Sequence, residues 1–205
     1  MEFHSIAGFI WSVADLLRGD YKQADYGKVI LPFTLLRRLD CVLEPTKDAV
    51  LAEYRAHQAA PFALDNLLPR KAGQSFYNIS ELNLARLQAD PANIRANLTA
   101  YVAGFSPNAR DIFDRYEFQA QIDKLEAANL LYQVIGRFAT FDLHPDVVDT
   151  HQMGLVFEEL IRRFAELSNE TAGEHFTPRD VVNLMVQLLF APDLPMLAQP
   201  GVVRR

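Results

Sequence analysis

The chain has 205 residues, a formal net charge of −6 and a hydrophobic fraction of 50%. That length supports one large domain or two small ones with a substantial core, and charged residues at 22% with aromatics at 11% exclude wholesale disorder. The acidic balance argues against coating nucleic acid by bulk charge, and a single cysteine, Cys41, excludes both a disulfide framework and a multi-cysteine zinc site. No apolar run is long enough to cross a bilayer, and no basic segment followed by an apolar one opens the chain. A reducing, cytoplasmic setting away from membranes is expected.

Helical periodicity dominates from the start. Ile6, Phe9, Ile10, Val13, Leu16 and Leu17 recur at three-to-four spacing, and Gly19 is placed to end that helix. A polar connection over 20–24 leads to Asp25, a suitable N-cap for a helix over 26–43. Pro32 should kink that helix or mark a late start, and Pro45 closes it. Thr46 caps a helix over 47–57. Pro61, Pro69 and Gly73 make 59–80 read as irregular. Ser80 opens another helix, and Asp90 with Pro91 starts the next, through about 102. A turn over 104–108 precedes helices over 109–116 and 119–138. After a break over 141–145, a long amphipathic helix spans 146–167. A polar loop over 168–176 leads to a final helix from Thr177 to about 190. Residues 201–205 could be entering a strand. The expected architecture is mainly α: a helical-bundle domain over 1–145, then linking helices over 146–205 that lead into something else.

No two of the nine glycines are spaced as G-x-G, so neither a Walker loop nor a Rossmann fingerprint occurs. H-E-x-x-H, G-x-S-x-G and C-x-x-C are absent too. No catalytic residue is assigned. The five histidines are scattered, and no metal site is assigned.

Two segments could carry binding. In the first, Thr177 is a natural N-cap, Pro178 takes the first helical position, and Asp180 suits the positive helix end. By spacing alone this is a well-capped helix with Phe176 as its hydrophobic staple, yet free N–H groups there also suit an anion, and Phe176 an aromatic ligand. The second segment mixes Tyr21, Lys22, Tyr26, Lys28, Arg37 and Arg38, a face that could meet a phosphate backbone, although Asp15, Asp20, Asp25 and Asp40 dilute its field. Glu158 and Glu159 beside Arg162 and Arg163 read as a salt-bridged helix surface. Cys41 reads as buried.

The run Phe9-Ile10-Trp11-Ser12-Val13-Ala14-Asp15-Leu16-Leu17-Arg18-Gly19, followed by Tyr26-Gly27-Lys28-Val29-Ile30-Leu31-Pro32-Phe33-Thr34-Leu35-Leu36-Arg37-Arg38-Leu39-Asp40, resembles the N-terminal helical domain of the modification (M) subunit of type I restriction-modification systems. Met153-Gly154-Leu155-Val156-Phe157-Glu158-Glu159-Leu160-Ile161-Arg162-Arg163 and Gly173-Glu174-His175-Phe176-Thr177-Pro178-Arg179 resemble the same family further on, in its order. The resemblance implies methyl transfer from S-adenosylmethionine to the N6 amine of adenine in DNA. It implies that Glu174, His175, Phe176, Thr177, Pro178 and Arg179 line the S-adenosylmethionine site of the full enzyme. It implies a specificity subunit, a second M subunit and a restriction subunit as partners beside DNA. Lys22, Lys28, Arg37 and Arg38 are the candidate phosphate contacts.

The family's cofactor loop, of the D-P-x-x-G-x-G type, and its N-P-P-[FY] motif do not occur in these residues. The chain is therefore expected to be an N-terminal part, ahead of a missing Rossmann-like α/β methyltransferase domain. It is expected to methylate nothing alone, with weak or no cofactor binding. The alternative is a stand-alone, non-catalytic helical interaction module that binds a specificity subunit.

Overall fold

A computed structural model describes residues 3–57, 61–167, 177 and 179–193. The helices run α1 (Phe3–Leu17), α2 (Tyr26–Leu43), α3 (Lys47–His57), α4 (Pro61–Ala72), α5 (Leu84–Leu87), α6 (Ile94–Ala103), α7 (Pro107–Arg115), α8 (Phe118–Ala127), α9 (Leu131–Thr140), α10 (Thr150–Leu167) and α11 (Arg179–Phe190). Among the described residues no strand forms beyond two isolated bridges, Arg18 with Tyr21 and Asn78 with Phe105. No described helix is long and apolar enough to cross a membrane. The mainly helical expectation holds.

The bundle is organised around α2. Thirteen of its eighteen residues are buried, so it is wrapped on nearly every side. α1, α8, α9 and α10 all pack against it. Its Phe33 meets Phe118 of α8 edge-on at 4.9 Å between ring centroids and stacks on Phe138 of α9 at 5.4 Å. Phe9 of α1 closes the same cluster, 5.2 Å from Phe138 and stacked at 3.9 Å on Phe141. Each fully buried Leu or Phe of such a core contributes roughly 1.5–3 kcal/mol. Met153, Val156, Leu160 and Phe164 of α10 belong to this same core.

Helix ends follow local chemistry. Gly19, at φ +101°, ends α1 as its position predicts. Asp25 does not cap α2 through its side chain; a 3-10 turn over Gln23–Asp25 leads in, and the carboxylate turns to Lys28 instead. α2 runs unbroken through Pro32 from Tyr26, so no late start occurs.

Four expectations are corrected. The segment read as irregular contains α4, because Pro61 occupies the first helical position and Pro69 lies in the closing turns. The helix expected from Ser80 is only α5, one turn capped by Asn83, whose Oδ1 accepts from the Arg86 N–H at 2.7 Å. The helix expected over 119–138 is two: Asn129 adopts a left-handed φ of 57° between α8 and α9, a conformation asparagine tolerates better than most residues. The long helix expected from 146 begins at Thr150, after a tight turn in which the Val147 and Val148 N–H groups donate to the His144 carbonyl. The expected loop over 168–176 and the expected strand over 201–205 lie outside the described residues.

Gly104, just after α6, sits hard against a second chain segment. A Cβ there would lie 2.9 Å from Asn78 Oδ1, 2.9 Å from Ser80 Cβ and 3.0 Å from the Ser80 backbone nitrogen. Its carbonyl accepts from the Ile79 N–H at 2.9 Å, so backbone cannot retreat without breaking that bond. Gly104→Ala is therefore expected to destabilise the chain by about 1–3 kcal/mol, read from the urea midpoint at constant slope. An unchanged midpoint would contradict the packing described.

Candidate functional site

The basic residues singled out by sequence separate into two environments. Lys22 is exposed on the connection before α2. Lys28, on the first turn of α2, has a side chain 62% exposed and its Nζ 2.8 Å from Asp25 Oδ1. A third lysine joins them from α8: Lys124 Nζ lies 3.8 Å above the Tyr21 ring centroid. The hydrogen bond from Lys28 holds the Asp25 carboxyl below its usual range, and the charges of Lys28, Lys124 and Lys22 add to the effect. Lys28 thus pairs directly with Asp25, Lys124 and Lys22 act on that carboxylate from further off, and Asp20 and Asp25 act on Tyr21.

The aromatic half of the expected face is not at the surface. Tyr21 and Tyr26 are both buried and belong to the hydrophobic core. Burial, then Asp25 and Asp20, push the Tyr21 hydroxyl up to about 12. What remains outside is a patch of lysines without a stacking platform. Sequence reading missed Lys124 because it lies on a different helix from the others, and only the packing of α8 brings it near.

Arg37 and Arg38 face inward. Arg37 Nε donates to the Phe141 carbonyl at 2.6 Å, and its Nη1 lies 3.1 Å from Asp40 Oδ2. Arg38 is nine-tenths buried, and its Nη1 donates to the carbonyls of Leu143 and Val148, each at 2.6 Å. A phosphate contact needs a guanidinium at the surface, and neither residue offers one in this fold.

Beside Arg37 a cavity of about 250 Å³ opens among Asp40, Lys47, Asn78 and Tyr101. The polar groups at its heart are already matched. The Tyr101 hydroxyl donates to Asp40 Oδ1 at 2.5 Å, Lys47 Nζ donates to the Leu82 carbonyl at 2.6 Å, and Asn78 Nδ2 donates to the Tyr101 carbonyl at 3.0 Å. Burial pushes the Tyr101 hydroxyl well up, with Asp40 adding to it, and burial draws the Lys47 ammonium down. The arrangement reads as a satisfied structural network. Among the described residues no group of His, Cys, Asp and Glu could hold a metal ion. Cys41 is buried, and burial raises its thiol.

Of the stretch 174–179, residues Glu174, His175, Phe176 and Pro178 lie outside the described residues. Thr177 is exposed, and α11 begins at Arg179. The apolar side chains of α11 are open to solvent, with Leu184, Met185, Leu188 and Leu189 each more than half exposed.

On α10 the expected charge pairs form. Arg162 grips Glu159 with two bonds, Nη2 to Oε1 at 2.7 Å and Nε to Oε2 at 2.9 Å, and also reaches Glu166. Arg163 donates to Glu159 as well and sets its guanidinium 5.6 Å from the Trp11 ring centroid of α1.

Comparison with known proteins gives two matches in succession. A family model described as the HsdM N-terminal domain matches residues 6–138, and one described as N-6 DNA Methylase matches residues 148–200. No curated protein and no solved structure matches the chain.

The Glu159 network makes acid sensitivity predictable. Hydrogen bonds from Arg162 and then Arg163 hold the Glu159 carboxyl down at about 2, against an ordinary value of 4.5. The unfolded chain takes up that proton first, so the stabilisation is full above about 4.5 and is lost as pH falls towards 2. The stability gap between the wild type and Glu159→Gln, measured by urea midpoints, should therefore be largest near neutral pH and shrink below pH 4.5. A gap that is constant with pH would contradict this.

Proposed function

The chain belongs to the HsdM N-terminal domain family, as the N-terminal portion of a type I modification subunit, and on that footing we propose that its bundle supplies phosphate and subunit contacts for adenine-N6 methylation of DNA. The succession of the two family matches along one chain carries this reading: a helical domain first, then the opening of a methylase unit.

The enzymes of the methylase family draw their methyl group from S-adenosylmethionine. Glu174, His175, Phe176, Thr177, Pro178 and Arg179 are our candidates for lining that cofactor. An exposed Thr177 next to the start of α11 suits this role, since the first N–H groups of a helix have no partner within it and favour a carboxylate. The exposed apolar side of α11 suits packing against further methyltransferase structure. Transfer itself needs a pocket for an adenine taken out of the duplex. The D-P-x-x-G-x-G and N-P-P-[FY] elements are not in these residues, so the chain alone is proposed to be inactive. A specificity subunit, a second modification subunit and a restriction subunit are its proposed partners, in the cytoplasm.

For DNA we propose Lys22, Lys28 and Lys124 as phosphate contacts. Arg37 and Arg38 are left to hold the fold. Each lysine that neutralises a phosphate adds about 0.9 to the steepness of log affinity against log salt on duplex DNA. In the modification subunit assembled with its specificity subunit, the triple change Lys22→Ala, Lys28→Ala, Lys124→Ala should weaken DNA binding and flatten that dependence. Lys71→Ala, on α4 and paired with Glu53 of α3, should leave it alone. An unchanged slope in the triple variant would remove the assignment.

A further inference from the structure

The two family matches stop and start on either side of residues 139–147, the last two residues of α9 and the connection that follows it. That connection, with Val148 just after it, supplies the carbonyls that both inward-facing arginines of α2 bind. Arg37 takes the Phe141 carbonyl, and one nitrogen of Arg38 takes Leu143 and Val148 together. The side chains of Leu143 and Val148 are fully buried beside them.

α10 then lies back across the first half of the bundle. Its Phe164 ring presses on Gly27 of α2, where a Cβ would come within 3.2 Å of that ring. Its Arg163 covers Trp11 of α1. One end of α10 is held by the arginine-bound turn and the other by the glycine notch.

We infer that Arg38, with Arg37 beside it, is a positioning residue that locks the joint at 141–149 and so fixes α10, the first helix of the methylase-like segment, as a rigid part of the helical bundle. The physical reason lies in the acceptors. The guanidinium stays charged and its Nη1 carries two N–H bonds, one for each carbonyl, so both bonds are charge-assisted. Burial makes the lock stringent: a buried guanidinium that loses its acceptors has no water to replace them. Opening the joint therefore means exposing Arg38, and with it Val148 and Leu143. The docking does not depend on the function proposed above; only its consequence, a fixed geometry between bundle and methyltransferase, rests on that reading.

The test uses the 205-residue chain and needs neither DNA nor cofactor. Hydrogen exchange is compared by segment in the wild type, in Arg38→Met, which keeps bulk but removes the donors, and in Arg38→Lys, which keeps the charge on a shorter side chain that falls short of the two carbonyls. Amides of α10 should exchange about ten-fold faster or more in both variants, while those of α6, α7 and α8 stay as they were. Trp11 is the only tryptophan, and its emission should shift to the red as Arg163 leaves its ring. Unchanged exchange in α10 with unshifted emission would overturn the inference. Equal acceleration of every helix, or failure of both variants to fold, would make Arg38 a general core residue and overturn it too.

Discussion

A helix buried on nearly every side must satisfy its polar side chains from within. α2 is such a helix, and it carries Thr34, Arg37, Arg38 and Asp40 in positions that water barely reaches. Thr34 returns its hydroxyl to the Ile30 carbonyl at 2.7 Å. Asp40 takes Tyr101 from α6 and Arg37 from its own helix. Arg38 must look further, to the turn after α9. These demands decide which segments may lie against α2. The apolar residues Val29, Ile30, Phe33 and Leu36 would accept many neighbours, whereas the polar ones accept few.

This gives the molecule two kinds of cation with opposite duties. The arginines of α2 are internal fasteners. The lysines at 22, 28 and 124 are exposed, Lys28 is paired with Asp25, and the charges of all three act on that carboxylate. A planar, always-charged guanidinium suits the first duty, and a flexible, well-hydrated ammonium suits the second. On the function proposed above, an acidic chain would meet a phosphate backbone through these three lysines and not through bulk charge.

Much of this was legible in the sequence, for identifiable reasons. The apolar spacing in 6–17 and 26–43 and the glycine after Arg18 mark α1 and α2 because those signals are local. The Glu159 pairs on α10 were legible for the same reason, since three- and four-residue spacing on a helix settles them. The split between α8 and α9 was hidden because the stop is an asparagine with no glycine or proline nearby. α4 was hidden because two prolines read as breakers, although one opens the helix and the other falls where it closes. The arginines misled because a basic pair on a helix reads as surface, and their acceptors lie about a hundred residues away. Lys124 gave no signal at all, since its neighbours are set by tertiary packing alone.

On the inference drawn above, α10 and the bundle form one rigid body through the joint that Arg38 fastens. The most direct measurement is a spin-label distance distribution between Glu126→Cys on α8 and Ile161→Cys on α10, both exposed sites, with Cys41→Ala removing the native thiol. A fastened joint gives one narrow distance, unchanged between low and high salt. A broad or two-peaked distribution in the otherwise folded chain would contradict it, because α10 would then move independently of the helices that carry the lysine corner.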